Sequence, residues 1–516
     1  MDSEIDVLRF KLGRVLDLLH AKLGAGQVEP RLMIENKVTR TVSNTAFMTA
    51  LSAIYGRLKV LAPRSADVIF DEEVRMSAVR RKPLVDLERE AKEATRFLIP
   101  FASVRQEAVG HGGFHTGVLG FATPGFRWVY DCGSWRKKSM LSSRVKAFLA
   151  RSRADLHAPD IDALFVSHFD ADHVNGLETL FEGSVGVPTS VKMVVAPYLS
   201  PREVVATIGR AAAAGRDSGN LIRAAADPAG YFGDKGVETL VLIRPDGPLP
   251  PTGEGAGGLP VLPTPHPPDR DGLTLEFFDV NGKPVQINPP EAGKINVIVA
   301  DPGSFFEMTS YGRALDWIFL PHAHEWRFNR EKIAAECRRL LKLDPDDPSF
   351  NRALVDKLRT RVGLKSVKKL YCGMNSNGTS MSLYAGPRTS DSDRVVYGKK
   401  VRSSGWLLTG DAPLNRKDAF AQWRGSFAPV ASLVGRLMLP HHGAERNFNE
   451  ELTTYASKAT PFLTVDRADY VGLKRPPRRV RTALDDRFVA VTEKRLLAEV
   501  SGPSSGKAQV SEVEKW

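Results

Sequence analysis

Cysteine is nearly absent from this chain of 516 residues: there are three, Cys132, Cys337 and Cys372, an odd number with no CxxC spacing. A chain this long needs no disulfide staples, and reduced thiols in a cytosol fit the count. Long hydrophobic runs are missing as well. No stretch approaches the ~20 apolar residues of a membrane span. Met1-Asp2-Ser3-Glu4 has neither the basic nor the apolar region of a secretory leader, so the expectation is a soluble, cytoplasmic protein with no membrane partner. Also lacking are an internal repeat, a Walker loop, a Rossmann glycine fingerprint and a Ser-His-Asp nucleophile elbow.

What is present is ordinary globular composition, 42% hydrophobic and 26% charged, which supports a sizeable buried core and excludes wholesale disorder. The length predicts two or three structural units, or one core with large insertions. Lys and Arg outnumber Asp and Glu by 72 to 60, a formal charge of +12. That balance favours a polyanionic partner through counterion release, with nucleic acid the leading candidate. Charge by itself fits a solvated basic surface equally well.

Apolar residues recur three or four apart at Ile5, Leu8, Leu12, Val15 and Leu19, which predicts an amphipathic helix capped by Ser3 and in need of a partner surface. Leu84 to Phe97, rich in Glu, Lys and Arg, predicts a second helix. Residues 1–100 therefore read as a mainly helical appendage, open to a protein partner. Residues 101–485 read as the catalytic domain and 486–516 as a C-terminal tail. Short β-rich runs mark the domain: Thr116–Phe121, Trp128–Tyr130, Ala163–Val166, Lys192–Ala196, Asn296–Ala300, Met381–Tyr384 and Trp406–Leu408. Several stop at a polar residue, as strands of α/β or αββα sheets do when loops at their ends carry a site. Between Pro245 and Gly272 proline and glycine are too dense for any packed element, and about 200–290 reads as an insertion.

The most informative segment is Ala163-Leu-Phe-Val-Ser-His168-Phe-Asp170-Ala-Asp172-His173-Val-Asn-Gly176, an apolar strand running into four candidate metal ligands within six positions. Alternation lets His168 and Asp170 face one cation while Asp172 and His173, on the turn, reach a second. Gly176 lets a helix pack closely behind. The bland alternative is a polar helix N-terminus with incidental histidines, but carboxylates at this density are costly to bury without a cation. Upstream, Trp128-Val-Tyr-Asp131-Cys-Gly133 is a strand ending in an aspartate. Downstream, Trp406-Leu-Leu-Thr-Gly410-Asp411 repeats the pattern, and Leu437-Met-Leu-Pro440-His441-His442-Gly443 ends another apolar run in paired histidines.

Asp, then HxDxDH, then a strand-terminal Asp, then HHG resembles the ordered ligand set of the metallo-β-lactamase superfamily, in which the second motif is more often HxHxDH. Three details are similar to the metallo-β-lactamase domain of bacterial competence-channel proteins that process incoming DNA. They are Val109-Gly110-His111-Gly112-Gly113, Asn375-Ser-Asn377-Gly-Thr-Ser380-Met-Ser-Leu383, and PHHG after LLTGD. The resemblance spans roughly 101–485 and leaves 1–100 outside.

It implies an αββα sandwich with an insertion and the helical appendage. It also implies two divalent cations, Mn²⁺ or Zn²⁺, with His168 and Asp170 on the first and Asp172 and His173 on the second. Asp411 would bridge both, and His441 or His442 would complete the second. Asp172, His173 and Asp411 would then be the catalytic set, and Asp131 would orient ligands rather than bind metal. Asp170, a harder oxygen donor, stands where many relatives have histidine, which moves the expectation toward Mn²⁺. The histidine that follows the family's third motif is missing, since Val194-Val-Ala-Pro-Tyr198 offers no imidazole.

Other residues carry weaker signals. Asn375, Ser376 and Asn377 either hold a substrate phosphate or cap a turn. Lys474-Arg475-Pro-Pro-Arg478-Arg479-Val-Arg481 puts five cations in eight residues, either against a nucleic-acid backbone or on a solvated face. His322 and His324 form an HxH pair, but no Asp-His follows, so a structural or substrate-lining role is expected ahead of a ligand role. His111 and His115 read as loop residues at the rim, and Cys132 as buried packing. The expected activity is hydrolysis of phosphodiester bonds in DNA or RNA by a two-metal nuclease. One alternative is a small-molecule hydrolase acting on a cyclic nucleotide, a phosphoester or a lactone. Another is a partner-binding protein with a structural metal site. An appendage restraining a nuclease would suit an antiviral defence effector.

Overall fold

A computed structural model describes residues 66–79, 101–120, 126–152, 161–183, 188–213, 219–245, 273–287, 294–310, 313–325, 330–347, 349–358, 360–371, 379–388, 405–455, 459–472, 475–485, 487–501 and 509–512, with a few isolated positions besides. The helix expected at Leu84–Phe97, the Pro/Gly-rich stretch after Pro245, Asn375 to Asn377 and Lys474 lie outside the described residues. Of the helix expected from Ile5 to Leu19, Arg9, Leu12, Gly13 and Leu16 are described and helical, with Leu12 and Leu16 fully buried. Arg9 pairs with Glu72 at 2.7 Å and Glu73 at 2.8 Å, both on the Ala66–Val79 helix.

Two large sheets organise the rest. The first has nine strands, in the order Gln509–Glu512, Leu497–Ser501, Phe101–Gln106, His115–Gly120, Phe126–Tyr130, Ile161–Phe165, Val191–Pro197, Thr239–Ile243 and Asn296–Ala300. The second has eight, in the order Val489–Val491, Thr460–Thr464, Val434–Met438, Gly405–Leu408, Met381–Gly386, Arg313–Ala323, Phe305–Ser310 and Leu273–Phe278. Each sheet is parallel in one half and antiparallel in the other. The stretch 200–290 thus supplies a paired strand to each sheet, Thr239–Ile243 to the first and Leu273–Phe278 to the second. Residues 486–516 supply Val489–Val491 to one sheet and Leu497–Ser501 with Gln509–Glu512 to the other.

Side chains alternate across each strand, and here both faces are covered. Trp128, Phe165, Val195 and Val241 of the first sheet meet Phe306, Phe319, Trp406 and Phe462 of the second in the central layer. The intervening Val129, Leu164, Val194 and Leu240 turn outward, against Phe148, Leu180, Val205 and Leu354 from helices. On the far side Leu407, Leu437 and Leu463 pack on Phe420, Trp423 and Val480, again helical. The result is the αββα arrangement, a metallo-β-lactamase fold. Among the described residues no helix is long and apolar enough to cross a membrane.

The parallel halves of both sheets deliver their chain ends to one side. Phe126–Tyr130 leads to Asp131, Ile161–Phe165 to His168, Gly405–Leu408 to Asp411, and Val434–Met438 to His441 and His442. Loops there carry reactive groups on rigid strands.

Candidate metal centre

After Phe165 the strand ends, the chain bends at Ser167 and is extended again at Asp170, then enters a single helical turn at Ala171–Val174. This turn breaks the two-residue alternation. Consequently His173 lies with His168 and Asp411, while Asp172 lies with His442 and His111. In each group of three, one ligand atom per residue falls within 4.8 Å of the others. The expected ligands therefore converge, but in groups that cut across their order in the sequence. His111, expected at the rim, is drawn in by its backbone N–H, which donates to Asp466 Oδ1 at 2.9 Å. Its ring lies 4.0 Å from that of His442.

Close backbone approach makes this possible. A Cβ on Gly113 would stand 2.7 Å from the Asp131 side chain and 2.9 Å from His173 Nδ1, and one on Gly176 would stand 2.8 Å from the Cys132 carbonyl oxygen. Asp131, His441 and His442 all have positive φ, at 60°, 48° and 55°. Left-handed backbone is costly for residues with a Cβ, and here it gathers where the ligands meet.

Four of the imidazoles are held from behind. The Ser167 hydroxyl donates to Asp131 Oδ2 at 2.7 Å and faces His168 Nδ1 at 2.8 Å, while His173 Nδ1 lies 2.7 Å from the same Asp131 oxygen. His442 Nδ1 faces the Thr464 carbonyl at 3.1 Å and hydroxyl at 2.7 Å. The Asn447 amide donates to the carbonyls of Asp411 and Ala412, so its oxygen faces His441 Nδ1 at 3.0 Å. These partners put the hydrogen on Nδ1 and turn the Nε2 lone pairs inward.

Inward, the atoms are short of partners. His168 Nε2, His173 Nε2 and Asp411 Oδ1 are buried with no hydrogen-bond partner among the described residues. His168 Nε2 stands 3.5 Å from Asp411 Oδ2, His173 Nε2 3.6 Å from Asp411 Oδ1, and His441 Nε2 3.6 Å from Asp411 Oδ2. Such distances are long for hydrogen bonds. Two donors bound at about 2.0–2.1 Å to one tetrahedral cation stand roughly 3.4 Å apart, so the spacing suits a shared ion. The donor set, imidazole and carboxylate, fits Zn²⁺ or Mn²⁺.

The electrostatics agree. Burial opposes charge on His173, but Asp131 and Asp172 outweigh it and hold its pKa well above the ordinary range. Burial also opposes ionisation of Asp411, yet His441 and His168 hold it well below the usual carboxylate range. His111, by contrast, is pushed down to about 2 by burial and by His442. The cluster thus holds ionised carboxylates and retains protons on His173 that a cation would displace.

Asp170 keeps one oxygen 3.5 Å from His168 Nε2, while its other oxygen is bound by Arg210. Arg475 Nη1 donates to the His441 carbonyl at 3.1 Å, and its charge reaches Asp411, His441 and His111. Two others of the basic run are engaged elsewhere, Arg479 with Glu450 and Arg481 over the rings of Tyr470 and Phe488. His322 and His324 are buried and belong to neither group, lying against Ser426 and Ser382. Cys132 and Cys337 are buried free thiols, and burial pushes Cys337 up to about 12.

Residues 117–277 match the model of the metallo-beta-lactamase superfamily, a span that holds Asp131, His168 to His173 and Arg210. The chain matches no curated protein. Among solved structures it is similar to the metallo-beta-lactamase fold protein YhfI from Bacillus subtilis, with 9% identity and a TM-score of 0.30, over 77% of this chain and 98% of that one.

Proposed function

We propose that this domain of the metallo-β-lactamase superfamily is a hydrolase of phosphodiester bonds in nucleic acid, with two divalent cations, Mn²⁺ or Zn²⁺, as cofactors. The observation that carries the reading is Arg475, whose guanidinium sits on the His441 carbonyl beside the ligand cluster. A guanidinium is always charged and matches phosphate in shape, and a fixed one next to a metal centre favours an anionic substrate.

In this reading His168, His173 and Asp411 hold one cation and His111, Asp172 and His442 the other. Bound there, the cations would supply a nucleophilic water at neutral pH and stabilise charge on the phosphoryl oxygens. The chain's own work is positioning. Asp131 and Ser167 fix two imidazoles, Thr464 a third and Asn447 a fourth. His441 is the most open of the histidines paired with an aspartate here, with 26% of its side chain exposed against 5% for Asp411, so substrate approaches past it. Burial lowers its pKa, and its Nε2 faces Asp411 Oδ2 at 3.6 Å.

The test is cleavage of linear and circular double-stranded DNA, single-stranded DNA and RNA with Mn²⁺, Zn²⁺ or Mg²⁺, beside an Asp172→Ala/His173→Ala variant. Cleavage that disappears in the variant is the expected result. Intact polymers under every metal, with chelator-sensitive hydrolysis of a small ester, would overturn the nucleic-acid reading and leave the hydrolase.

A further inference from the structure

Arg210 lies on the Pro201–Ala213 helix, amid small residues with no motif around it, yet it reaches the rim of the metal centre. Its guanidinium pairs with Asp170, and both side chains are largely enclosed, at 13% and 18% exposed. The helix that carries it is anchored at its other end. Glu203, buried, accepts from the Ser200 backbone N–H and hydroxyl and from the Thr379 hydroxyl at 2.6 Å. Thr379 adjoins Ser380, whose Oγ accepts from the Asp411 backbone N–H at 3.0 Å. One helix is therefore tied both to Asp170 and to the segment that leads into the Met381–Gly386 strand and holds the Asp411 backbone N–H, which fixes where the guanidinium stands.

We propose that Arg210 is a built-in cation of the centre: it takes up Asp170, so that the metal ions bind to the His168/His173/Asp411 and His111/Asp172/His442 groups while Asp170 serves as the link to the helix. Asp170 belongs to neither group of three converging ligand atoms; its Oδ2 stands 3.5 Å from His168 Nε2, but its Oδ1 is taken by Arg210. A carboxylate shared with a guanidinium is a poorer donor to a metal, and the fixed charge repels a divalent ion placed beside it. Arg210 is a positioning residue in this scheme, acting through Asp170 on how tightly the first cation is held. The inference rests on the metal centre and not on the substrate assigned to it.

The experiment measures Mn²⁺ and Zn²⁺ binding to the full chain by calorimetry and chelator competition, with circular dichroism to check folding. In Arg210→Gln, Asp170 is released as an extra ligand, and the first cation should bind at least tenfold more tightly. In Asp170→Asn/Arg210→Gln, both charges are removed together and net charge is unchanged, so affinity and stoichiometry should stay within threefold of wild type. A tenfold or larger loss in the double variant makes Asp170 a ligand and overturns the proposal. Unchanged or weaker binding in the single variant overturns it too, since Arg210 then restrains nothing. A wild-type chain that takes up neither metal removes the centre and the proposal together, whereas metal uptake without nucleic-acid cleavage removes the substrate assignment alone.

Discussion

Asp131 Oδ2 lies 2.7 Å from His173 Nδ1, so a residue at the end of one strand fixes the ring of a histidine on the helical turn beyond the next. The same carboxylate accepts from the Ser167 backbone N–H at 2.6 Å and hydroxyl at 2.7 Å. It orients two inward-facing imidazoles without entering either ligand group. Asp131→Asn replaces an acceptor with a donor facing His173, which frees the ring to turn. Metal affinity should fall by about 10- to 100-fold, the usual effect of losing a partner behind a ligand. Calorimetric titration of the variant with Mn²⁺ checks this, and an unchanged affinity would show that the ring is held by something else.

Asn447 makes a second support of this kind, and here stability is the sharper readout. It is 4% exposed, and its amide donates to the carbonyls of Asp411 and Ala412 at 3.0 and 3.1 Å. Asn447→Leu leaves those carbonyls without this donor, and a buried unsatisfied group costs about 1–3 kcal/mol. Urea denaturation should report a loss in that range. A variant as stable as wild type would mean that water replaces the amide.

Arg475 should matter to substrate and not to metal. Its guanidinium caps the His441 carbonyl, while the ligand atoms belong to other residues. Arg475→Met keeps much of the stem and removes the charge. If it meets a phosphate, binding to nucleic acid should weaken across all sequences and the salt slope should drop by about 1. Fluorescence anisotropy over a salt series measures both. An unaltered slope would take Arg475 out of the interface.

Much of this candidate centre was legible because most of the residues that converge there follow the ends of apolar strands. Ala163 to Val166 running into His168, Asp172 and His173, and Trp406 to Leu408 running into Asp411, mark where a sheet delivers polar groups. The sandwich follows from the same runs. Pairing the ligands by alternation did not match the observed groups, because the chain becomes helical at Ala171 and the period of two stops there. His111 gave little signal: it stands between glycines, and contacts distant in sequence, with Asp466, Trp135 and His442, bring it in. Arg210 and Asn447 have no local signature at all, since one sits among alanines on a helix and the other in a loop after the paired histidines. The strands at Thr239–Ile243 and Leu497–Ser501 were hidden by their neighbourhoods, beside a proline-rich stretch and near the chain end. They are recognisable only once paired with Val191–Pro197 and Phe101–Gln106.

The histidines outside the centre set a pH dependence of their own. His115 is wedged between Trp128 and Trp406, with ring centroids 5.1 and 4.8 Å away, and neither of its nitrogens has a hydrogen-bond partner among the described residues. Burial pushes its pKa down to about 3, and burial likewise pushes His322 down to about 4. An unfolded chain binds protons at both rings near pH 6.5 while the folded chain does not, so these groups make stability fall as pH falls. The loss begins at about 6.5 and runs toward 4 and 3, with each ring contributing at most about 1.4 kcal/mol per pH unit. Melting temperature measured from pH 7.5 to 4.5 should therefore decline as acid is added. His115→Leu fills similar space with no group to titrate and leaves no unpaired nitrogen, so it should melt no lower than wild type at pH 7.5 and decline less steeply below 6.5. Parallel declines in the two proteins would mean that His115 already takes up its proton while folded, through a polar neighbour or a water that reaches the ring.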